Sequence, residues 1–478
     1  MKFCKLLVFL IAVQLLTARF ALAQQPPTQD TTQSGGGNAP DNDSNQNRPT
    51  PAARGLFLGV DTQPQDSSQI VPDRHVLSDS QLLGVGSLHG LHNVFDAAVH
   101  VTESADNGIV PGVLNSATSA GGTMNLDATW ARYHLILFYN GGENVYEPSS
   151  EMDASYHNIV FSQEVRWRRW LWRIGDNLSV APQAGLAGLD SGGPGLLGQV
   201  QIPTSLVAFT APGQTILTGQ VTRLEDNAYT DVDYEITRRM TITFSGSYGA
   251  LHFLHSGYID SNQYGGRVGL DYALDPKDSI AFIYQYAQAG FTGLGNQMQS
   301  HLAEVAFGRK ITGRLAFQIA GGPEYISLSD FGPQSGGSLS WGAFAALAYN
   351  LQHTQFTLDY IHGLTAGSGV FRGSENHTVA TTVSHNFSRN WSASLNAAYS
   401  FNKNLAPSAG QLAQANIGSA GANLTRLLGR YFSLSWAYEY QQQFGVVGSC
   451  PVTNCGVTAP RQVGTVAVNW HLQPVGEQ

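Results

Sequence analysis

The chain has 478 residues, of which only 12% are charged, with 53 Gly, 22 Phe and 19 Tyr. No stretch approaches eighteen uninterrupted apolar residues, which excludes transmembrane helices; the composition fits many strands and turns instead. The formal charge of −9 becomes −12 once Lys2, Lys5 and Arg19 of a leader are removed, which argues against nucleic acid as a partner.

In the leader, Lys2 and Lys5 precede an apolar run from Leu6 to Leu16, and Ala21-Leu22-Ala23 offers small residues for cleavage before Gln24. That pattern predicts a signal peptide over 1–23. Residues 24–54 are rich in Gln, Asn, Thr, Pro and Gly without apolar periodicity and read as a low-complexity disordered tail. Segment 55–92 carries short apolar pairs and triplets but no period. It is left as an undefined periplasmic or lumenal segment.

From 93 onward the apolar period is two. In Ser338–Thr365 every second residue from Leu339 to Leu351 is apolar, and the residues between are mostly small or polar. Gln352-His353 interrupts, and Phe356, Leu358 and Tyr360 resume the alternation, which is the pattern of a β-hairpin. Seven further hairpins share this build, around Ala131-Arg132, Arg168-Arg169, Arg238-Arg239, Asp275–Lys277, Ile311-Thr312, Ser388-Arg389 and Leu428-Gly429. Segments 93–104 and 460–472 have no tight-turn mate and would pair with each other. The expectation is an all-β fold: a transmembrane antiparallel up-and-down barrel over 93–472, with about 18 strands and a C-terminal tail of 473–478. Sixteen strands is the alternative if 93–104 is not a strand.

Trp130, Tyr133, Trp167, Trp170, Trp391 and Tyr431 all fall at the turn ends of their strands, where rings can sit between acyl chains and headgroups. The turns are basic and the long connections acidic. Short turns are expected to face the periplasm and long loops the exterior, in an outer membrane. Strict alternation turns Asp176 outward, and a bulge near Gly175 is one way to re-aim it.

The stretches "LDATWARYHLILFYNGG" (126–142) and "NIVFSQEVRWRRWLWRIGDNLSVAPQAG" (158–185) resemble a family of functionally uncharacterised bacterial outer-membrane β-barrel proteins, porin-like in layout. The resemblance implies outer-membrane lipids as surroundings and the outer-membrane assembly machinery as a partner. Many such barrels end on an aromatic residue, whereas Trp470 is followed by eight residues here.

With the apolar set facing lipid, the alternate set lines a lumen. Expected pore-lining residues are Glu164, Arg166, Arg173, Asp231, Asp233, Glu235, Arg267, Asp271, Asp359 and Glu439. Charges of both signs facing a pore set up a transverse field that orients polar solutes. The spacing of Asp231, Asp233 and Glu235 puts three carboxylates on one side of a strand. They read either as a cation-attracting stripe or as a hydrated wall paired with neighbouring arginines. The longest connection, 183–223, is rich in Gly and Pro and is a candidate constriction loop. An alternative is a mobile external loop.

Cys450 and Cys455 are the only cysteines after the leader and predict a disulfide. No Gly-x-Ser-x-Gly or His-Glu-x-x-His stretch occurs, so no enzyme is expected. The histidine pairs His89/His92 and His252/His255 lack nearby Cys or acidic partners in sequence, and neither a metal nor a cofactor is expected. The reading is a porin-like channel for passive diffusion of small polar solutes, with homo-oligomers left open. The alternative is a structural or surface-binding barrel with an occluded lumen.

Overall fold

The computed structural model describes residues 94–110, 113–147, 153–181, 221–293, 295–367, 369–388, 390–407, 413–447 and 460–472. They form eighteen antiparallel strands. The first nine are β1 (Val94–Val110), β2 (Val113–Trp130), β3 (Tyr133–Glu147), β4 (Ala154–Arg166), β5 (Trp170–Ala181), β6 (Arg223–Thr237), β7 (Met240–Phe253), β8 (Ser261–Ala273) and β9 (Asp278–Phe291). The others are β10 (Gln297–Lys310), β11 (Leu315–Ser329), β12 (Gly336–Asn350), β13 (Thr354–Thr365), β14 (Ser374–Ser388), β15 (Trp391–Asn404), β16 (Gln414–Leu427), β17 (Phe432–Val447) and β18 (Arg461–His471). Each strand pairs with its neighbours in sequence. β1 also pairs with β18, from Ala98 opposite His471 to Asp106 opposite Val463, so the sheet closes on itself and has no edge. The sixteen-strand alternative falls, because β1 is a full strand paired on both sides.

One rim carries the eight tight turns; the other carries the longer connections together with the two-residue link between β1 and β2. The tightest turns demand unusual backbone. Ala131, in the two-residue turn between β2 and β3, has a φ of 49°. Two-residue hairpin turns whose twist matches the strands need positive φ, and Ala accepts it at a steric cost.

The two faces of the wall differ as the alternation predicts. Phe244, Phe282, Val305, Ile319, Leu395 and Val468 are exposed on the outside, Phe282 by 57%. Their sequence neighbours point inward, and Thr243, Ala281 and Ala306 are buried. At the tight-turn rim the outward rings meet in pairs. Trp130 lies 5.8 Å from Tyr133, Trp170 4.4 Å from Tyr234, and Trp391 6.1 Å from Trp436.

Asp176 does point outward. Its pairing with Phe161 on β4 and Ala228 on β6 is continuous, so no bulge re-aims it. It lies instead within electrostatic range of Asp226 of β6. Gly175 next to it serves a different purpose. The inward Tyr229 ring lies over the position where a Cβ would stand, so only glycine lets the ring cover the backbone there.

The apolar core of this molecule is displaced to one end. Ala287, Ala289 and Phe291 of β9, Met298 of β10, and Ile326 and Leu328 of β11 turn inward near the long-loop rim. They cluster with Phe331, Leu364, Ala366 and Ala406. Ile259 and Leu405 pack against the cluster.

Candidate functional site: the lumen and its capped mouth

An apolar band facing outward around a closed sheet needs an apolar solvent, because water would leave far more exposed hydrocarbon than a soluble monomer carries. The paired rings at the tight-turn rim mark the band's border, with apolar bodies toward acyl chains and polar edges toward headgroups. The chain is an outer-membrane β-barrel. Its functional surface is therefore the inner face and the two mouths.

On the inner face, charge is concentrated along β4 to β8 and is held in pairs. Arg173 of β5 donates to Asp233 of β6 at 2.8 Å, with both side chains about nine-tenths buried. The Thr243 hydroxyl of β7 donates to the other Asp233 oxygen at 2.6 Å. Asp231, two residues along, lies within electrostatic range of Arg173 and of Arg267 on β8. Glu304 of β10 also lies within range of Arg267. Acids and arginines thus alternate along the inner face from Arg173 of β5 through Asp231, Asp233 and Arg267 to Glu304 of β10. Such charges remain ionised inside a barrel only when each has a partner or water.

The predicted lumen residues divide by height. Arg173, Asp231, Asp233, Arg267 and Asp271 sit together on the inner face, and Asp271 is fully buried. Asp359 is an inner-face residue of β13, opposite Ala346. Glu439 of β17 faces inward by Arg461 of β18, far from that group in strand order. Glu164 and Arg166 bond each other at 3.0 Å at the tight-turn end of β4, where Arg166 is half exposed. Glu235 is exposed at the same rim and stands apart from Asp231 and Asp233. The three-carboxylate stripe is therefore two inward acids, one of them bonded to an arginine, and one rim acid. Cys450, Cys455 and almost all of loop 183–223 lie outside the described residues.

The capped mouth has no counterpart in the sequence reading. β12 and β13 pair only between Ala343/His362 and Asn350/Gln355. β13 and β14, by contrast, stay paired up to Thr365/Ser374. Above His362 the β13–β14 hairpin leaves the wall and leans inward. Two contacts show this. Leu364 has outward parity on β13, yet it is 3% exposed and packs with Ile326 and Leu328, whose side chains face inward. Glu375 has outward parity on β14, yet it accepts a hydrogen bond from Ser340 on the inner side of β12 at 3.1 Å. The outer side of the hairpin lies against the inner side of the wall.

The hairpin tip, Ala366 to Gly373, reaches across the mouth. The backbone N–H of Ile259, in the β7–β8 connection, donates to Gly369 O at 2.8 Å. Gly369 also abuts the Phe253 ring so closely that a side chain there would overlap it. Phe253 stacks on Tyr258 at 4.7 Å. Gly373 lies against Met298 and Leu405, and its carbonyl accepts from the Leu405 N–H at 3.2 Å.

Other connections tie over the tip. Thr292 N–H donates to Asp260 O at 3.0 Å, Asn296 bonds the Asp330 carbonyl, and Gln334 reaches Pro407 O at 3.3 Å. The last bond joins the β11–β12 and β15–β16 connections, which flank the β13–β14 hairpin in strand order. Val370 and Phe371 in the tip are 6% and 1% exposed. A free rim loop would show both to water.

Comparisons with known proteins agree with the layout alone. No family model matches the chain, and no curated protein does. Among solved structures it is similar to outer-membrane protein opdK from Pseudomonas aeruginosa, at 8% identity and TM-score 0.39, covering 80% of this chain and 99% of that one. It is similar to OccAB4 from Acinetobacter baumannii at 8% identity and TM-score 0.39, covering 80% and 98%. A third is Pseudomonas aeruginosa OccK2 (OpdF) in complex with glucuronate, at 8% identity, TM-score 0.41 and coverage of 80% and 98%. The assignment here rests on the chain's own strand pairing and faces.

Proposed function

We propose that the protein is a diffusion channel for small polar solutes, narrowed at its outer mouth by the inward β13–β14 hairpin. The observation that carries the reading is the hydrogen bond from Ile259 to Gly369, which ties the hairpin tip to the β7–β8 connection, six strands away around the rim. Barrels of this strand number enclose an aqueous channel unless something fills it. Below the tip, the Arg173–Asp233 pair and the neighbouring Asp231, Arg267 and Glu304 give the wall charges of both signs. A solute carrying a separated donor and acceptor would be aligned by them. The hairpin tip is a narrowing element additional to the one expected of segment 183–223, nearly all of which lies outside the described residues.

Orientation follows the usual asymmetry of such barrels, with tight turns toward the periplasm and the capped mouth outside. The competing reading, a structural barrel with a closed lumen, is favoured by the burial of inward polar residues such as Gln263 and Asp271.

Planar-bilayer recording separates the two. Replacing residues 367–373 with an Asn-Gly turn is expected to raise single-channel conductance at least twofold over the full chain. Retained heat-dependent gel mobility would confirm that the variant barrel is folded. Equal conductance in the two proteins would remove the hairpin from the pathway. No conductance in either, nor after further deletion of 183–223, would establish the closed-barrel reading.

A further inference from the structure

We propose that His362, Glu375 and His377 form a binding site for a divalent transition-metal ion at the root of the inward hairpin. The three residues each offer one donor atom, and all three donors lie within 4.8 Å of one another. The position is specific in the fold: it is where β12 parts from β13, directly above the last β12–β13 pair, Ala343/His362. His362 and His377 are cross-strand partners on β13 and β14, and Glu375 precedes His377 by two residues on the same face of β14.

Two observations show these groups converging on one point away from solvent. The first is His362. Its side chain is 1% exposed; backbone groups of Asn376 and Trp341 and the Glu375 carboxylate lie near the ring nitrogens, but none makes a hydrogen bond of good geometry to them. Nε2 lies 3.5 Å from Glu375 Oε1, too long for such a bond. A buried imidazole held only by such poorly aligned contacts gains by giving a ring lone pair to a ligand.

The second is the direction taken by Glu375. Lys403 stands opposite it across the β14–β15 pair. The carboxylate turns the other way, toward His362 and the Ser340 hydroxyl.

Supporting groups are in place around the three donors. The Tyr360 hydroxyl is 3.2 Å from His377 Nδ1. With Nδ1–H donating to that oxygen, the His377 Nε2 lone pair is left free for a metal. The Ser340 hydroxyl holds Glu375 Oε1 at 3.1 Å. The Trp341 ring lies 4.0 Å from the His362 ring and covers one side of the site.

Two imidazoles and a carboxylate suit zinc and its neighbours in the first transition row, and leave a fourth position for water. Tetrahedral coordination places donors roughly 3.3 Å apart, so the widest separation would close by about 1.5 Å. The bound ion would cross-link β13 to β14 where the hairpin bends inward. That cross-link is independent of the channel reading; only its effect on solute passage rests on that reading.

The test uses the untagged full-length protein refolded in detergent, titrated with Co²⁺ followed by its visible absorption and then displaced by Zn²⁺. One ion per chain is expected, with tetrahedral d–d bands that vanish on Zn²⁺ addition. His377→Gln and Glu375→Gln are each expected to weaken Co²⁺ binding at least tenfold, and Tyr360→Phe by a smaller factor. His377 is only half-buried, so His377→Gln should fold, and heat-dependent gel mobility verifies that. The control is His252→Gln, which removes the exposed His252–Asp260 pair and should leave binding unchanged. Absence of Co²⁺ binding up to millimolar concentration, equal binding by His377→Gln, or loss in His252→Gln in its place would each overturn the site. Bilayer conductance with and without Zn²⁺ is a separate readout, so a failed channel and a failed metal site give different results.

Discussion

Arg461 and Asp106 decide how firmly the ring is closed. They join the last strand to the first, and the guanidinium grips the carboxylate through three contacts: Nη2 to Oδ2 at 2.6 Å, Nε to Oδ2 at 3.1 Å and Nε to Oδ1 at 3.2 Å. The side chains are 14% and 3% exposed, so solvent screens the pair weakly. Removing one partner of a buried pair strands the other charge, at a cost of about 3–5 kcal/mol. Arg461→Ala is therefore expected to raise the unfolding constant by about two to three and a half decades, at about 1.4 kcal/mol per decade. Because Glu439 also faces Arg461, both partners are replaced in a Glu439→Gln background; there Arg461→Met with Asp106→Leu leaves no charge stranded and should cost less than either single change. The assay is urea unfolding in lipid vesicles followed by tryptophan fluorescence, run as a double-mutant cycle. A single-variant cost below about 1 kcal/mol, typical of exposed pairs, would refute the claim that this seam is sealed by a buried charge pair.

Three further outcomes follow from other parts of the wall. Phe282→Arg, on the outward face of β9, should destabilise the vesicle-embedded barrel by about 2–4 kcal/mol, and a negligible effect in the same urea assay would deny that this face meets lipid. Ala131→Gly relieves the positive φ and is expected to stabilise by about 0.5–1 kcal/mol; a loss of stability would show that the strain is not there. Asp275, in the exposed β8–β9 turn, accepts the N–H of Lys277 at 2.6 Å and of Asp278 at 2.8 Å, and these bonds hold its carboxyl below the usual 3.8. Because the folded value is depressed, its contribution is fully present above the unfolded value and is lost as pH falls through the folded one. Amide protection of Lys277 and Asp278, compared with Asp275→Asn, should therefore converge with the variant below about pH 4 and diverge above it; a constant difference would break the link.

The wall was legible because its information is local. A period of two, repeated between short basic turns, places every strand, and the exposed Phe282 beside the buried Ala281 is the same signal in three dimensions. Aromatic position was equally local: Trp170 and Tyr234 belong to the turn ends of adjacent strands, so their contact follows from sequence height alone. Pairing of lumen charges was half legible. Alternation puts Arg173 and Asp233 on the inner face, but only the β5–β6 register, with Arg173 opposite Asp231, decides which acid the arginine can reach. Glu235 was assigned to the lumen because parity says nothing about height.

The hairpin at the mouth was illegible for a different reason. Alternation describes a strand relative to its own sheet, and β13 and β14 keep their alternation while the pair of them bends away from β12. Leu364 and Glu375 hold outward parity throughout, and it is the surface they face that changes from lipid to the inner wall. One signal was present in the sequence: Val370-Phe371, two large apolar residues between Gly369 and Gly373 in what should be a water-facing loop. Their burial, together with the glycines that let the tip approach Phe253 and Met298, makes the outer mouth a packed structure and not a rim. A solute entering from outside would then have to pass beside this hairpin or move it, and a hairpin rooted where β12 and β13 separate can move without breaking a β12–β13 ladder bond above Ala343.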